Sequence, residues 1–156
     1  MTKTNAMRLL DAAGIRYDTL EYEVDESDLS GVSIARKTGQ DYDAVFKTLV
    51  FSGEKNGFGV CCIPVREELD LKKVAKAFGE KKVEMIHVKD LLSITGYIRG
   101  GCSPVGMKKK FPTVIDETAT LFEKIFVSGG MRGLMLGVNP AELAGYVEAK
   151  FEDVCI

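Results

Sequence analysis

The chain has 156 residues, 46% of them hydrophobic and 28% charged: enough apolar material for one core, too little length for two comfortable ones, and a composition that argues against disorder. A formal net charge of −2 excludes a protein that coats nucleic acid in general, while leaving room for a local basic patch that grips one end of an RNA. Apolar runs such as Val60 to Pro64 fall far short of the ~20 residues needed to span a bilayer, so no membrane association is expected.

Taken in order, Thr4 is placed to cap a helix running through Met7, Leu9, Leu10 and Ala13, with Gly14 as its stop. The flanking charges and the lack of a secretory apolar core at the start point to a cytoplasmic protein. Period-two alternation of Tyr17, Thr19, Leu20, Tyr22 and Val24 predicts a strand from Arg16 to about Val24. A polar turn follows from Asp25 to Gly31, then a short helix through Val32, Ile34 and Ala35 ending at Gly39, and a brief turn from Asp41 to Val45.

Phe46 to Ser52 reads as a strand in which Phe46, Thr48 and Val50 share one face and Lys47, Leu49 and Phe51 the other. A lysine beside two large apolar side chains is a snorkelling stem at an edge, a paired ion, or an ammonium projecting into a cavity lined by the sheet. Gly53 to Gly57 is a hairpin turn, with Phe58 to Pro64 as the return strand. Asp70 caps an amphipathic helix with Leu71, Val74, Ala75 and Phe78 inward and Lys72, Lys73 and Lys76 outward, ended by Gly79. A charged helix face of this kind is usually only solvated, so it says little about RNA.

A short strand is expected from Val83 to Ile86, then a helix from Val88 to Thr95 stopping at Gly96. Gly96 to Lys110 is the stretch hardest to explain as packing alone. Gly100 and Gly101 permit positive φ and close approach of backbone N–H groups to a ligand, Cys102 and Ser103 follow, Pro104 stiffens the far side, and three lysines close the segment. It reads either as a cradle for an anionic or carbonyl-bearing ligand or as an ordinary glycine- and proline-rich loop with a basic tail. Strands from Thr113 to Ile115, Lys124 to Ser128 and Leu134 to Val138 are expected next, with a second glycine-rich turn from Gly129 to Gly133. Asn139 and Pro140 start a last helix leading through Leu143 and Val147 to Phe151. Hairpin-like strands mixed with helices predict an α+β fold with a mixed, partly closed, barrel-like sheet, built as one unit over residues 1–156 because no repeat or linker interrupts it.

Several familiar chemistries fail on the residues. Gly101 and Gly106 have the spacing of a phosphate-binding loop, but Met107 stands where the lysine belongs and no Ser or Thr follows Lys108. The single histidine, His87, precedes a predicted helix and has no nucleophile assigned to it. Cys61 and Cys62 are neighbours in a strand and point to opposite faces, so the four cysteines make no metal or disulfide framework. Cys102, near basic residues, is read first as a structural thiol and only second as a thiolate. No metal and no cofactor is called for.

With Lys47-Thr48, the run Gly100-Gly101-Cys102-Ser103-Pro104-Val105-Gly106, and Val127-Ser128-Gly129-Gly130 in order, the chain resembles the YbaK/EbsC family, in particular its Cys-tRNA(Pro) deacylase branch. The resemblance extends over nearly the whole chain, including Leu69 to Lys76 and Gly96-Tyr97. It implies a trans-editing enzyme that hydrolyses mischarged tRNA. Lys47 then matches the family's essential lysine, with Gly100 and Gly101 beside the aminoacyl ester as the other catalytic positions. Thr48, Ser103, Pro104, Ser128 and Gly129 fall at substrate-binding positions, and Tyr22 where the branch has a pocket tyrosine. The branch can carry an aromatic residue near Leu29 to Gly31 and a polar or acidic residue where this chain has Met135; both are absent here.

In that branch the substrate's own thiol attacks the ester, which accords with the lack of an evident nucleophile and base. The partners implied are the acceptor end of a mischarged tRNA and, for tRNA choice, prolyl-tRNA synthetase, with no role for DNA. An Ala-tRNA(Pro)-type deacylase using water, and a non-catalytic module that binds tRNA or a synthetase, are the alternatives.

Overall fold

In the computed structural model, which describes residues 2–156, the capping signals act as the sequence predicts. Thr4 Oγ1 accepts from the Met7 amide at 3.2 Å and opens helix α1 (Asn5–Ala12), whose Ala6, Met7 and Leu10 are buried. Strand β1 (Tyr17–Glu21) follows, then helix α2 (Gly31–Thr38), capped by Ser30 and closed by Gly39 at φ 70°. Asp70 accepts from the Lys72 and Lys73 amides at the start of helix α3 (Leu71–Ala77). The segment expected as one helix over 88–95 is a 3₁₀ turn, Val88–Asp90, running into helix α4 (Leu91–Thr95).

Strands β2 (Phe46–Gly53) and β3 (Gly57–Pro64) form an antiparallel hairpin paired from Phe46↔Pro64 to Gly53↔Gly57. Strands β4 (Val83–Met85), β5 (Thr113–Asp116) and β8 (Lys150–Glu152) complete a five-stranded sheet in the order β4-β2-β3-β5-β8, in which β5 is parallel to both neighbours. Strands β6 (Ile125–Ser128) and β7 (Leu134–Val138) join β1 in an antiparallel sheet of order β1-β7-β6. The α+β expectation therefore holds, with mixed strand directions. The single, partly closed barrel-like sheet does not: the strands form two sheets, and among the described residues they close no barrel. The sheets meet at one parallel bridge, Val45↔Phe126, where the Phe126 amide donates to Ala44 O at 2.8 Å. Beyond that bridge, among the described residues, no β2–β6 pairing follows, and past Ser128 the chain turns at Gly129 and Gly130.

The last helix, α5 (Pro140–Val147), is shorter than expected. Glu148 adopts φ 56°, the Ala149 amide closes on Ala144 O, and Phe151 belongs to β8 rather than to the helix. Pairing with distant β5 decides this, and no local pattern reveals it.

The two faces of the β2–β3 hairpin feed different apolar clusters. Phe46, Val50, Val60 and Cys62 pack with α1, β6, β7 and α5. Phe51, Cys61 and Ile63 pack beneath Val74 and Ala75 of α3. The adjacent cysteines thus face opposite ways, as strand geometry requires.

Candidate functional site

Five consecutive residues of β2, Phe46 to Val50, line a cavity of about 380 Å³. Side chains alternate between the faces of a strand, so five in a row at one wall means that the cavity lies against the strand's edge. Gly31 and Ile34 of α2, with Leu29 and Ser30 before it, form another wall; Met85, Ile86, Val88 and Leu91 form a third; Arg99, Gly100, Cys102, Ser128 and Met135 close the far side. Helix α2 reaches the sheet because position 31 is glycine: a Cβ there would lie 2.2 Å from Val65 Cγ1. The lining is mainly apolar, with a few polar groups from Lys47, Thr48, Ser128 and Arg99, as suits a small-molecule pocket.

Lys47 is half-buried, and among the described residues its Nζ makes no ion pair. Burial holds its pKa below the usual 10.5, against the opposing fields of Glu68, Cys155 and Glu67. Its neighbour Thr48 projects to the other face, Oγ1 lying 3.7 Å from Cys62 Sγ.

Across the cavity, the Gly101 amide donates to Ile98 O at 3.0 Å, closing a turn with Gly100 at φ 86° in its third position, where only glycine is free of strain. The Gly101 N–H is therefore engaged within the loop. A Cβ at Gly101 would come within 3.1 Å of the Arg132 amide nitrogen, so this glycine is the point at which the two glycine-rich turns touch. Arg132 Nε completes the brace by donating to Arg99 O at 2.8 Å.

Of the nine residues singled out from the sequence, Lys47, Thr48, Gly100 and Ser128 meet at this cavity, and the other five stand outside its lining. Gly101 forms the brace just described. Ser103 is fully buried, its Oγ accepting from the Val105 amide at 3.2 Å, and Pro104 lines a separate hollow with Leu9 and Met107. Gly129 is held through its carbonyl, which accepts from Thr4 Oγ1 at 2.7 Å. Tyr22 packs against Ile34, Val45, Val65 and Met135, which line the cavity, so it backs that wall without lining it. His87 is exposed and off the lining.

Sequence reasoning proposed no role for Ile34, Met85, Ile86, Val88, Leu91 and Arg99, which carry only the signal of ordinary apolar or charged positions. Leu29 to Gly31 and Met135, the positions that the resemblance singles out, both line the cavity. Cys102 is the thiol exposed to this lining, and burial pushes its pKa up to about 11, so at neutral pH it is a neutral thiol.

Comparison with known proteins shows the chain's family and fold. Residues 30–146 match the aminoacyl-tRNA editing domain family. The chain is 47% identical over 152 residues, covering 97% of its own length and 93% of the relative, to an Enterococcus faecalis (strain ATCC 700802 / V583) protein named "Putative Cys-tRNA(Pro)/Cys-tRNA(Cys) deacylase EbsC". Among solved structures, it superposes with TM-score 0.84 and 23% identity on "a putative trans-editing enzyme for prolyl tRNA synthetase", covering 99% of each chain. A hypothetical protein aligns with TM-score 0.86 and 22% identity over 96% of this chain and 97% of the other; at these identities the structures speak for the fold alone.

Proposed function

The chain belongs to the YbaK/EbsC family of aminoacyl-tRNA editing domains, and on that premise we propose that it is a trans-editing deacylase that hydrolyses Cys-tRNA(Pro). The observation that carries this reading is the cavity itself, which brings the Lys47–Thr48 edge, the Gly100 turn and Ser128 around one space of about 380 Å³. Lys47, half-buried and free of an ion pair among the described residues, supplies a cation for the electron-rich acylated end of the tRNA and fixes the ester in place. The turn at Gly100 bounds the far side of the ester, while Arg99 at the lining and the neighbouring Arg132 offer positive charge to the terminal phosphates.

The nucleophile in this reading is the thiol of the substrate. Its sulfur attacks the ester carbonyl carbon, the carbon–ribose oxygen bond breaks, the ribose oxygen takes the thiol proton, and water opens the resulting β-thiolactone to free cysteine. Alanine and proline lack the thiol and remain esterified even when bound. This selectivity exceeds what one small group in a pocket provides by contact, roughly 1 to 3 kcal/mol. The neutral Cys102 thiol supports leaving the attack to the substrate. The whole chain acts as one editing unit in the cytoplasm, with prolyl-tRNA synthetase supplying the choice of tRNA.

The test is a panel of tRNA(Pro) charged with cysteine, alanine or serine, incubated with substoichiometric protein. Free cysteine is released over many turnovers, with alanine and serine esters spared. Loss of the alanine ester at an equal rate replaces the thiol mechanism with attack by water; no release from any ester leaves only a binding module.

A further inference from the structure

The edge of β2 that faces the cavity is uncovered at its middle. The Val65 amide donates to Val45 O at 2.9 Å, which fixes Val45↔Val65 as a hydrogen-bonded pair. By the alternation of an antiparallel ladder, the main-chain groups of Lys47, Leu49 and Phe51 then face β3, whereas those of Phe46, Thr48 and Val50 face the other way. The Ile86 amide donating to Val50 O at 3.3 Å agrees with this phase. On that outer edge β6 lies near the start of β2 but pairs, among the described residues, only at the Val45↔Phe126 bridge, and the β4 register ends at Phe51↔Met85. Between these contacts, Thr48 lines the cavity, and the ladder phase turns its N–H and C=O to an edge where, among the described residues, no strand is paired with them. An unpaired donor and acceptor in a largely apolar hollow favour a partner that satisfies both.

We propose that this gap reads the part common to all aminoacyl esters, the α-ammonium group and the ester carbonyl, as a one-residue strand added to β2 at Thr48. An aminoacyl ester carries a nitrogen donor and a carbonyl acceptor on either side of one tetrahedral carbon, as a peptide residue does. The α-ammonium donates to Thr48 O, and the Thr48 amide donates to the ester carbonyl oxygen, completing a two-bond antiparallel pair. The same amide then faces the oxygen on which negative charge develops when the carbonyl is attacked, so the contact also favours the reaction. The Gly101 amide, already donating to Ile98 O, is not available for that task. In this pose the substrate side chain leaves the strand axis toward a cavity wall, where Leu29, Ile34 and Met135 stand. The inference rests on the deacylase reading of the site and adds to it which part of the substrate the main chain recognises.

The experiment uses the full chain and two stable probes in which an amide replaces the ester: cysteine joined to 3′-amino-3′-deoxyadenosine, and its 3-mercaptopropionyl counterpart, which keeps the thiol and lacks the α-amino group. The cysteinyl probe is expected to bind at least ~10-fold more tightly, since a hydrogen bond to a charged group is lost without the amine. In the free protein the Thr48 amide exchanges its hydrogen much faster than that of Leu49, and saturation with the cysteinyl probe slows Thr48 exchange at least ~10-fold. Equal affinities, no binding of either probe at millimolar concentration, or an unprotected Thr48 amide at saturation overturns the proposal. A Thr48 amide protected by the probe in a protein that cleaves no ester overturns the deacylase reading alone. Equal kcat/KM on tRNA esters of cysteine and 3-mercaptopropionate overturns the edge alone.

Discussion

Strand β2 has two sides with opposite fates. Toward β3 it is paired along its whole length, and beneath α3 its Phe51 packs edge to face on Phe78, centroids 4.6 Å apart, in a filled layer. Toward α2 and the Gly100 turn, the same strand borders open space with a cation and an unpaired main-chain edge. One strand thus serves both as the rigid spine of a sheet and as the wall of a pocket. A site so mounted is positioned by the core behind it rather than by its own loops.

The largest effect that sharpens this contrast is expected on the filled side. Phe51→Ala removes a ring that is 1% exposed, and a loss of about 3–5 kcal/mol in unfolding free energy follows. The folded fraction retains the wild-type kcat/KM, which denaturant melts combined with active-site titration would check. On the open side, Lys47→Ala is expected to lower deacylation by about 100-fold, some 2.7 kcal/mol of transition-state stabilisation, without lowering the melting temperature. A Lys47→Ala protein that deacylates normally breaks the assignment of this side to chemistry.

Alkaline pH probes both sides together. Burial raises the pKa of all four thiols above the ordinary 9.0, with Cys62 and Cys155 pushed up to about 12 and Cys102 to about 11. The unfolded chain releases these protons first, so their contribution is complete below about pH 9 and is lost as pH rises toward the folded values. The urea midpoint is expected to fall between pH 8 and pH 10. Part of that fall disappears in Cys62→Ala, measured against the same variant at pH 8. The smallest effect is expected from Cys102→Ala: kcat/KM within about 3-fold of wild type, because a neutral thiol at the lining contributes contact rather than attack. A loss of about 100-fold in that variant would move the nucleophile from substrate to protein.

What the sequence made legible follows the same division. Thr4, Asp70 and Asn139 were readable as caps because a cap is a contact between residues two or three apart. The β2–β3 hairpin and the opposed Cys61 and Cys62 follow from period-two alternation, equally local. Lys47, Thr48, Gly100 and Ser128 were legible through resemblance and do meet at one cavity. Hidden from local pattern were the pairings across long stretches of chain: β1 with β7, β3 with β5, and the short β8, whose Phe151 had looked like the end of a helix. The uncovered edge at Thr48 was hidden for the same reason, since it is defined by where β4 and β6 stop. Ser103 and Gly129 look alike in sequence whether they touch a ligand or brace a loop, and only coordinates show Val105 and Thr4 as their partners.

The uncovered edge at Thr48 also bears on how such a pocket changes over generations. Main-chain groups persist through nearly any codon change, so the handle shared by every amino acid stays legible while its discriminating surroundings drift. Leu29 and Met135, on other segments of the chain, are then free to be retuned one at a time, giving descendants with new preferences from an unaltered grip.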